Sequence, residues 1–418
     1  MLNVIEAFSG IGSQAKALKN INAEYNIVAT VEWDLNAIYA YDIIHNGAQD
    51  FSKYLNLDKN TLINMLMDYT LSTDGKSPLS YQTLKIMSVE ALRRFIVAIE
   101  RTKNLVNITE VKARDLPENA DLLTYSFPCQ DLSICGSWHG NMTGIDRNVH
   151  NRSGMLWEIE RILKEYVSMG KALPKFLLME NVSNILSETH RHNFEEWRNY
   201  LESIGYVNKV YTLNAINFGI PQKRIRTYML SIYADNIFIK NNIIQYLEEN
   251  DISKLPTMKL QPLVNFLRTD YKDKQYKYEA DISNPNFTPS RQKIFRENEI
   301  IFDGKQTTCD AIRTITTKQD RNPNSGILLY SGDDIQKSPY RNLTPRECFL
   351  LMGFEELDYQ GLIDNDFYIK KGHNFFTREK LIKLAGNSIV VNVLEVIFKQ
   401  IIHIKDELLF TKEDYKAC

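Results

Sequence analysis

Val4-Ile5-Glu6-Ala7-Phe8, running straight into Ser9-Gly10-Ile11-Gly12, is the stretch on which the fold turns. A short apolar run reads as a strand, the glycines as a tight turn, and Ala15, Leu18 and Ile21 as one face of the helix that follows. Glycine lets a backbone turn sharply and approach a ligand closely, although many α/β proteins carry such turns with no ligand at all. Working outward, 27–31 predicts a second strand ending at Glu32, and Leu122-Leu123-Thr124-Tyr125 and Phe176-Leu177-Leu178-Met179 predict two more. Tyr228-Met229-Leu230-Ser231-Ile232 is a further candidate. Such runs alternate with helical patterns through the first half, the signature of βαβ units and a parallel sheet. In open sheets of this kind, sites form beyond the carboxyl ends of the strands, and the polar motifs here fall there repeatedly.

The 418 residues suffice for two domains and a sizeable core, and 44% hydrophobic with 24% charged residues is ordinary for a globular enzyme. A formal charge of -2 argues against a protein that coats nucleic acid nonspecifically, but not against a local basic cleft. Cys129, Cys135, Cys309, Cys348 and Cys418 are odd in number and widely spaced, which suggests neither a disulfide framework nor a zinc site. The first residues lack a basic segment followed by an apolar one, and no apolar run reaches bilayer length. The expectation is a soluble, cytoplasmic chain. From about residue 236 the rhythm changes. Residues 250–324 are rich in Lys, Asp, Asn and Pro and predict a separate, irregular domain, whereas 389–402 returns to an apolar helical pattern that should pack as core.

Several residues could carry chemistry. Glu32, ending the second strand, could bind ribose hydroxyls, and Trp33 could stack on an adenine. Read alone, they are equally a surface carboxylate and a core ring. Cys129 in Pro128-Cys129-Gln130 follows a strand and Phe127, where a thiolate could act as nucleophile, although most cysteines are small buried hydrophobes. Glu180 in Glu180-Asn181-Val182 reaches the same edge and suggests acid–base chemistry on a polar ring, or a structural carboxylate. Arg224 and Arg226 flank Ile225 and, on an extended chain, face one side; they could grip a phosphate or carboxylate, or form a solvated basic edge. His139, His150, His190 and His192 have no metal-ligand spacing, so no metal is expected.

The order of these pieces decides between the alternatives. Phe8 to Gly12, Pro128-Cys129-Gln130, Glu180-Asn181-Val182, Gln222 to Arg226, Arg341-Asn342-Leu343-Thr344-Pro345-Arg346-Glu347 and Gly386 to Val391 resemble, in sequence, the motifs of DNA cytosine-5 methyltransferases. The resemblance spans nearly the whole chain except about 236–335. The stretches 124–133, 152–161 and 177–182 look especially like the mycoplasma and spiroplasma CpG enzymes.

That resemblance implies an α/β, Rossmann-like S-adenosylmethionine-dependent methyltransferase sheet with a smaller irregular target-recognition domain. The corresponding boundaries are 1–235 for the catalytic domain, 236–340 for target recognition, 341–380 for a linking motif and 381–418 for a C-terminal helix completing the catalytic domain. It makes Cys129 the nucleophile at C6 of cytosine and Glu180 the holder of N3 and the exocyclic amine. Arg226 orients Glu180 and contacts the base, and Arg224 supports the site and the DNA backbone. S-Adenosylmethionine is the implied donor, lined by Phe8, Ser9, Gly10, Ile11 and Gly12, with Glu32 on the ribose, Trp33 on the adenine, and Asn107, Ile108, Pro128, Asn387 and Ser388 nearby. Gln130 and Ser133 fall in the loop that closes over DNA, and Thr314 and Thr316 in a Thr-rich segment that presents hydroxyls to phosphate or bases.

Two positions depart from the family: Asn107 stands where Asp is usual, and Ile225 where Glu often separates the two arginines. Duplex DNA is the expected partner, with a restriction endonuclease as the candidate cellular companion, no membrane, and a monomeric state. CpG follows from the framework alone, because the variable segment differs from those enzymes. The rivals are a tRNA cytosine methyltransferase, a silent DNA-binding homologue that would be expected to lose Cys129 or Glu180, and a thiol hydrolase for which no histidine is placed as base.

Overall fold

The computed structural model describes residues 1–128, 145 and 153–409. Strands β1 (Leu2–Ala7), β2 (Tyr25–Val31), β3 (Leu122–Tyr125), β4 (Phe176–Val182), β5 (Tyr206–Asn214) and β7 (Ile225–Tyr233) form one sheet in the order β2-β1-β3-β4-β7-β5. The first four run parallel, and β7 lies antiparallel between β4 and β5. Strands buried on both faces need apolar residues at successive positions rather than alternation. Thus Leu122 and Leu178 feed a core on one face, and Leu123, Leu177 and Met179 a second core on the other. Helices Ser13–Asn20, Leu35–Asn46, Val89–Arg101 and Val391–His403 cover the first face, while Leu156–Ser168 and Glu188–Ser203 cover the second. The result is the expected mixed α/β architecture with a central sheet.

β5 was not anticipated, and β4 and β7 are longer than their apolar runs. Glu180 therefore sits inside β4, opposite Tyr228, rather than beyond its end. The helix Ile237–Glu249, assigned from sequence to the second region, packs on β5 and buries Ile243 and Leu247 in the first core.

The irregular region contains helices Lys274–Ile282 and Pro289–Glu297 and a small sheet of Ile300–Phe302, Ile327–Leu329 and Tyr340–Asn342. It is fastened to the linking motif by an ion pair out of water, Arg346 with Glu279 at 2.8 Å. Within the motif, Arg341 meets Glu347 at 2.7 Å with both side chains fully buried. A second tie is backbone: strand β6 (Gln222–Lys223) pairs in parallel with Ile312–Arg313.

Contrary to the sequence expectation, one helical stretch, Arg378–Leu408, is long and apolar enough by composition to cross a membrane. Of its most apolar window, 72% is buried inside the protein. The stretch bends at Ser388–Val390, and its second half packs on Ser13–Asn20, the behaviour of a core helix.

Candidate active site at the carboxyl edge of the sheet

β7 runs antiparallel to β4, so it begins where the parallel strands end. That reversal brings Arg224 and Arg226 to the edge reached by Phe8, Glu32, Pro128 and Glu180. All six line one cleft of about 210 Å³, together with Ser9, Gly10, Ile11, Trp33, Asn387 and Ser388.

The turn after β1 is built for close approach. Phe8 and Gly10 adopt left-handed φ of 57° and 55°. A Cβ on Gly10 would meet nothing within 4 Å, so the missing side chain leaves open space in the cleft. Gly12 has a different reason: a Cβ there would lie 2.2 Å from Nε2 of His45, the half-buried residue whose ring nitrogen contacts the Ile11 carbonyl. Gly12 shapes the turn from below and does not line the cleft.

Glu32 crosses from β2 to this turn. One carboxylate oxygen accepts from the Trp33 and Asp34 amides at 2.9 and 2.8 Å, the other from the Gly10 amide at 3.1 Å. Desolvation, reinforced by the Asp34 carboxylate, still pushes Glu32 up to about 7. An acceptor carboxylate, an aromatic face at Trp33 and the open space at Gly10 form a set of groups suited to a ribose, an adenine and their attached chain.

On the other side, Arg226 Nε lies 3.4 Å from Glu180 Oε1. Burial raises the Glu180 carboxyl above its usual range, while Arg226 and then Arg224 pull it back. Asn181 braces this wall by donating to the Phe127 carbonyl at 3.1 Å. Arg224 is almost completely buried, and its guanidinium donates to the carbonyls of Ile315, Gly386 and Ser388 at 2.8, 3.1 and 2.7 Å. It therefore joins the sheet edge, the Thr-rich segment and the C-terminal motif. Ser388 closes the ring through a 2.6 Å contact with Ser13 Oγ.

Other expectations fall elsewhere. Cys129, Gln130 and Ser133, like Cys135, His139 and His150, lie outside the described residues. Asn107 and Ile108 are not among the lining residues: Asn107 Oδ1 accepts from Thr109, its Nδ2 donates to Glu110, and Ile108 belongs to the second core. Thr314 Oγ1 donates to the Lys223 carbonyl and Thr316 Oγ1 to that of Lys318, so both hydroxyl protons are already committed. Residues that the sequence reading missed include Asp34, Asp74, Gly75 and Lys383, which complete the rim. Among the described residues, no cluster of three or more His, Cys, Asp or Glu could hold a metal ion. Burial also pushes up the thiols of Cys309 and Cys348, which is unfavourable for a thiolate nucleophile.

Comparison with known proteins adds an independent line. Residues 92–403 match the family model described as C-5 cytosine-specific DNA methylase. The chain is 33% identical to the orphan methyltransferase M.SssI of Spiroplasma monobiae, over 96% of this chain and 97% of that one. It is 30% identical to the type II methyltransferase M2.ScrFI of Lactococcus lactis subsp. cremoris, over 96% and 99% of the two. Among solved structures, the S. pombe Dnmt2 methyltransferase superposes with a TM-score of 0.58 at 18% identity, covering 96% of this chain and 99% of that one; this likeness concerns the fold.

Proposed function

The chain belongs to the C-5 cytosine-specific DNA methylase family, and from that premise we propose that it methylates C5 of a cytosine flipped out of duplex DNA at one short sequence. The donor in this reading is S-adenosylmethionine, which supplies a methyl group made electrophilic by its sulfonium. The carrying observation is that the Gly10 cradle, with Glu32 and Trp33, and the Glu180–Arg226 pair open into one cleft with Pro128 on its wall.

A cytosine stacked in a duplex cannot reach such a cleft, and extruding it costs a few kcal/mol. C5 of cytosine is also a poor nucleophile. In the proposed mechanism the Cys129 thiolate adds to C6, and the displaced ring electrons make C5 nucleophilic toward the methyl group. Solvent water then takes the C5 proton, the C–H electrons re-form the C5–C6 double bond and expel the thiolate, and the N3 proton returns to Glu180, which restores the ring. Glu180 suits the ring's edge, because its raised carboxyl can keep a proton to donate to N3 while its other oxygen accepts from the exocyclic amine. Arg226 fixes that carboxyl, and Arg224 acts as a positioning residue through its three carbonyls. The region 236–340 is proposed to read the target, with the backbone around Thr314 and Thr316 presented next to the two arginines.

The test is bisulfite-type sequencing of plasmid DNA from cells expressing the chain or its Cys129→Ser variant. Methylated cytosines within one short motif, absent from the variant, are expected. Methylation retained in the variant removes Cys129 as nucleophile, and none in either turns attention to tRNA as substrate.

A further inference from the structure

Beside the cleft lies a second, larger hollow of about 560 Å³, between Thr73–Lys76, residues 317–320 and the helix Arg378–Asn387. The two cavities share Asp74, Lys383, Leu384 and Asn387. Lys383 bridges the wall between them. Lys383 Nζ donates to Asp34 Oδ2 and to the Asp74 carbonyl, each at 2.9 Å.

Both acceptors belong to preformed pieces of structure. Asp34 directly follows Glu32 and Trp33, and its Oδ1 caps the next helix by accepting from the Asn36 amide at 3.0 Å. The Asp74 loop is knitted from within, because Asp74 Oδ1 accepts from the Lys76 and Ser77 amides at 2.7 and 3.0 Å. It is hinged to the cleft by two backbone hydrogen bonds, from Ser72 to the Trp33 carbonyl and from Leu35 to that of Ser72, and by Asn36 Nδ2 donating to the Thr73 carbonyl at 2.9 Å. A firm loop thus returns to the rim, and Lys383 spans from the C-terminal helix to it. At the loop's tip, Gly75 has φ +69°, and a Cβ there would lie 3.5 Å from Asp34 Oδ2 and 3.6 Å from Lys383 Nζ, in ordinary contact with the bridge.

We propose that the Ser72–Ser77 loop is the retaining wall of the methyl-donor cleft and that Lys383, by bridging Asp34 to Asp74, controls exchange of the donor and its demethylated product through the neighbouring hollow. The proposal rests on the donor reading given above. Lys383 is 31% exposed, and pairs that wet contribute little to folding, which leaves the partition as what its geometry achieves. Withdrawing the ammonium merges the two cavities without removing any group that faces the cytosine. The penalty then falls on holding the donor, not on the chemical step.

Calorimetry with S-adenosylhomocysteine on the full chain, paired with steady-state methylation of plasmid DNA, tests this. Lys383→Met is expected to raise the dissociation constant and the donor KM about tenfold with a far smaller change in kcat, and Lys383→Arg to restore both. Asp34→Asn keeps the helix cap and is expected to reproduce the defect, with Lys383→Met adding little on top of it. An unchanged dissociation constant in both variants, or a fall in kcat as large as the rise in KM, overturns the latch while leaving the donor site in place. Failure of the unaltered chain to bind S-adenosylhomocysteine overturns the donor reading itself, and the latch with it.

Discussion

Arg226 Nε stands 3.4 Å from Glu180 Oε1 across neighbouring antiparallel strands, in a register that pairs Val182 with Arg226 and Glu180 with Tyr228. Backbone pairing, not a flexible loop, sets that separation, so the carboxyl arrives already aimed. Glu180→Gln is expected to lower the single-turnover methylation rate by roughly a hundredfold or more, and Arg226→Ala by a similar factor. Because the two act as a unit, the double variant should be little worse than either single one; fully multiplicative losses in rapid-quench measurements would show that they work separately.

Glu32 is held at about 7, close to neutrality, while its carboxylate faces the proposed ribose site. If ribose hydroxyls donate to the ionised form, protonation removes the acceptor. Between pH 8 and pH 6 the dissociation constant for S-adenosylhomocysteine should rise about tenfold, and in Glu32→Gln that dependence should flatten. A wild-type affinity that is level across this range would take Glu32 out of the donor contact.

Glu6 is completely buried on β1, and burial, only partly offset by the Tyr41 hydroxyl, pushes it up to about 7. The folded state therefore holds a proton that the unfolded chain releases near 4.5. Its contribution falls as pH rises between those values, because over that window the native state binds more protons than the unfolded one. Glu6→Gln should raise stability at pH 8, by on the order of 2 kcal/mol, and leave it nearly unchanged at pH 4. Denaturant midpoints at the two pH values provide the check.

Arg224 ties three carbonyls from two distant stretches of chain, and lysine cannot reproduce a planar fork. Arg224→Lys is expected to cost about 2–4 kcal/mol, since carbonyls would be left buried without donors. A denaturation curve that superposes on the parent's would contradict this.

The sequence disclosed the sheet because its strands are buried on both faces and read as unbroken apolar runs ending in polar motifs. It disclosed most of the cleft because those motifs share one edge. β5 stayed hidden because it is only partly buried, with Asn208, Lys209 and Thr212 interrupting its apolar residues. The loop around Asp74 was invisible for another reason: its place on the rim depends on long-range bonds, from Lys383 more than three hundred residues away, from Asn36 and from backbone amides, that no local pattern encodes. Asn107 shows how a short-range effect misleads. In the structure its amide turns back on Thr109 and Glu110, the local competition that asparagine favours in loops.

The two-residue pairing of β6 with Ile312–Arg313 ends one position before Arg224. Whatever the variable region senses is thus separated from the chemical groups by a single peptide unit, with no hinge in between. A mismatched target that shifts this strand would displace the arginines as well, so it would be rejected after binding as well as during it. Fidelity would then be written in turnover as much as in affinity.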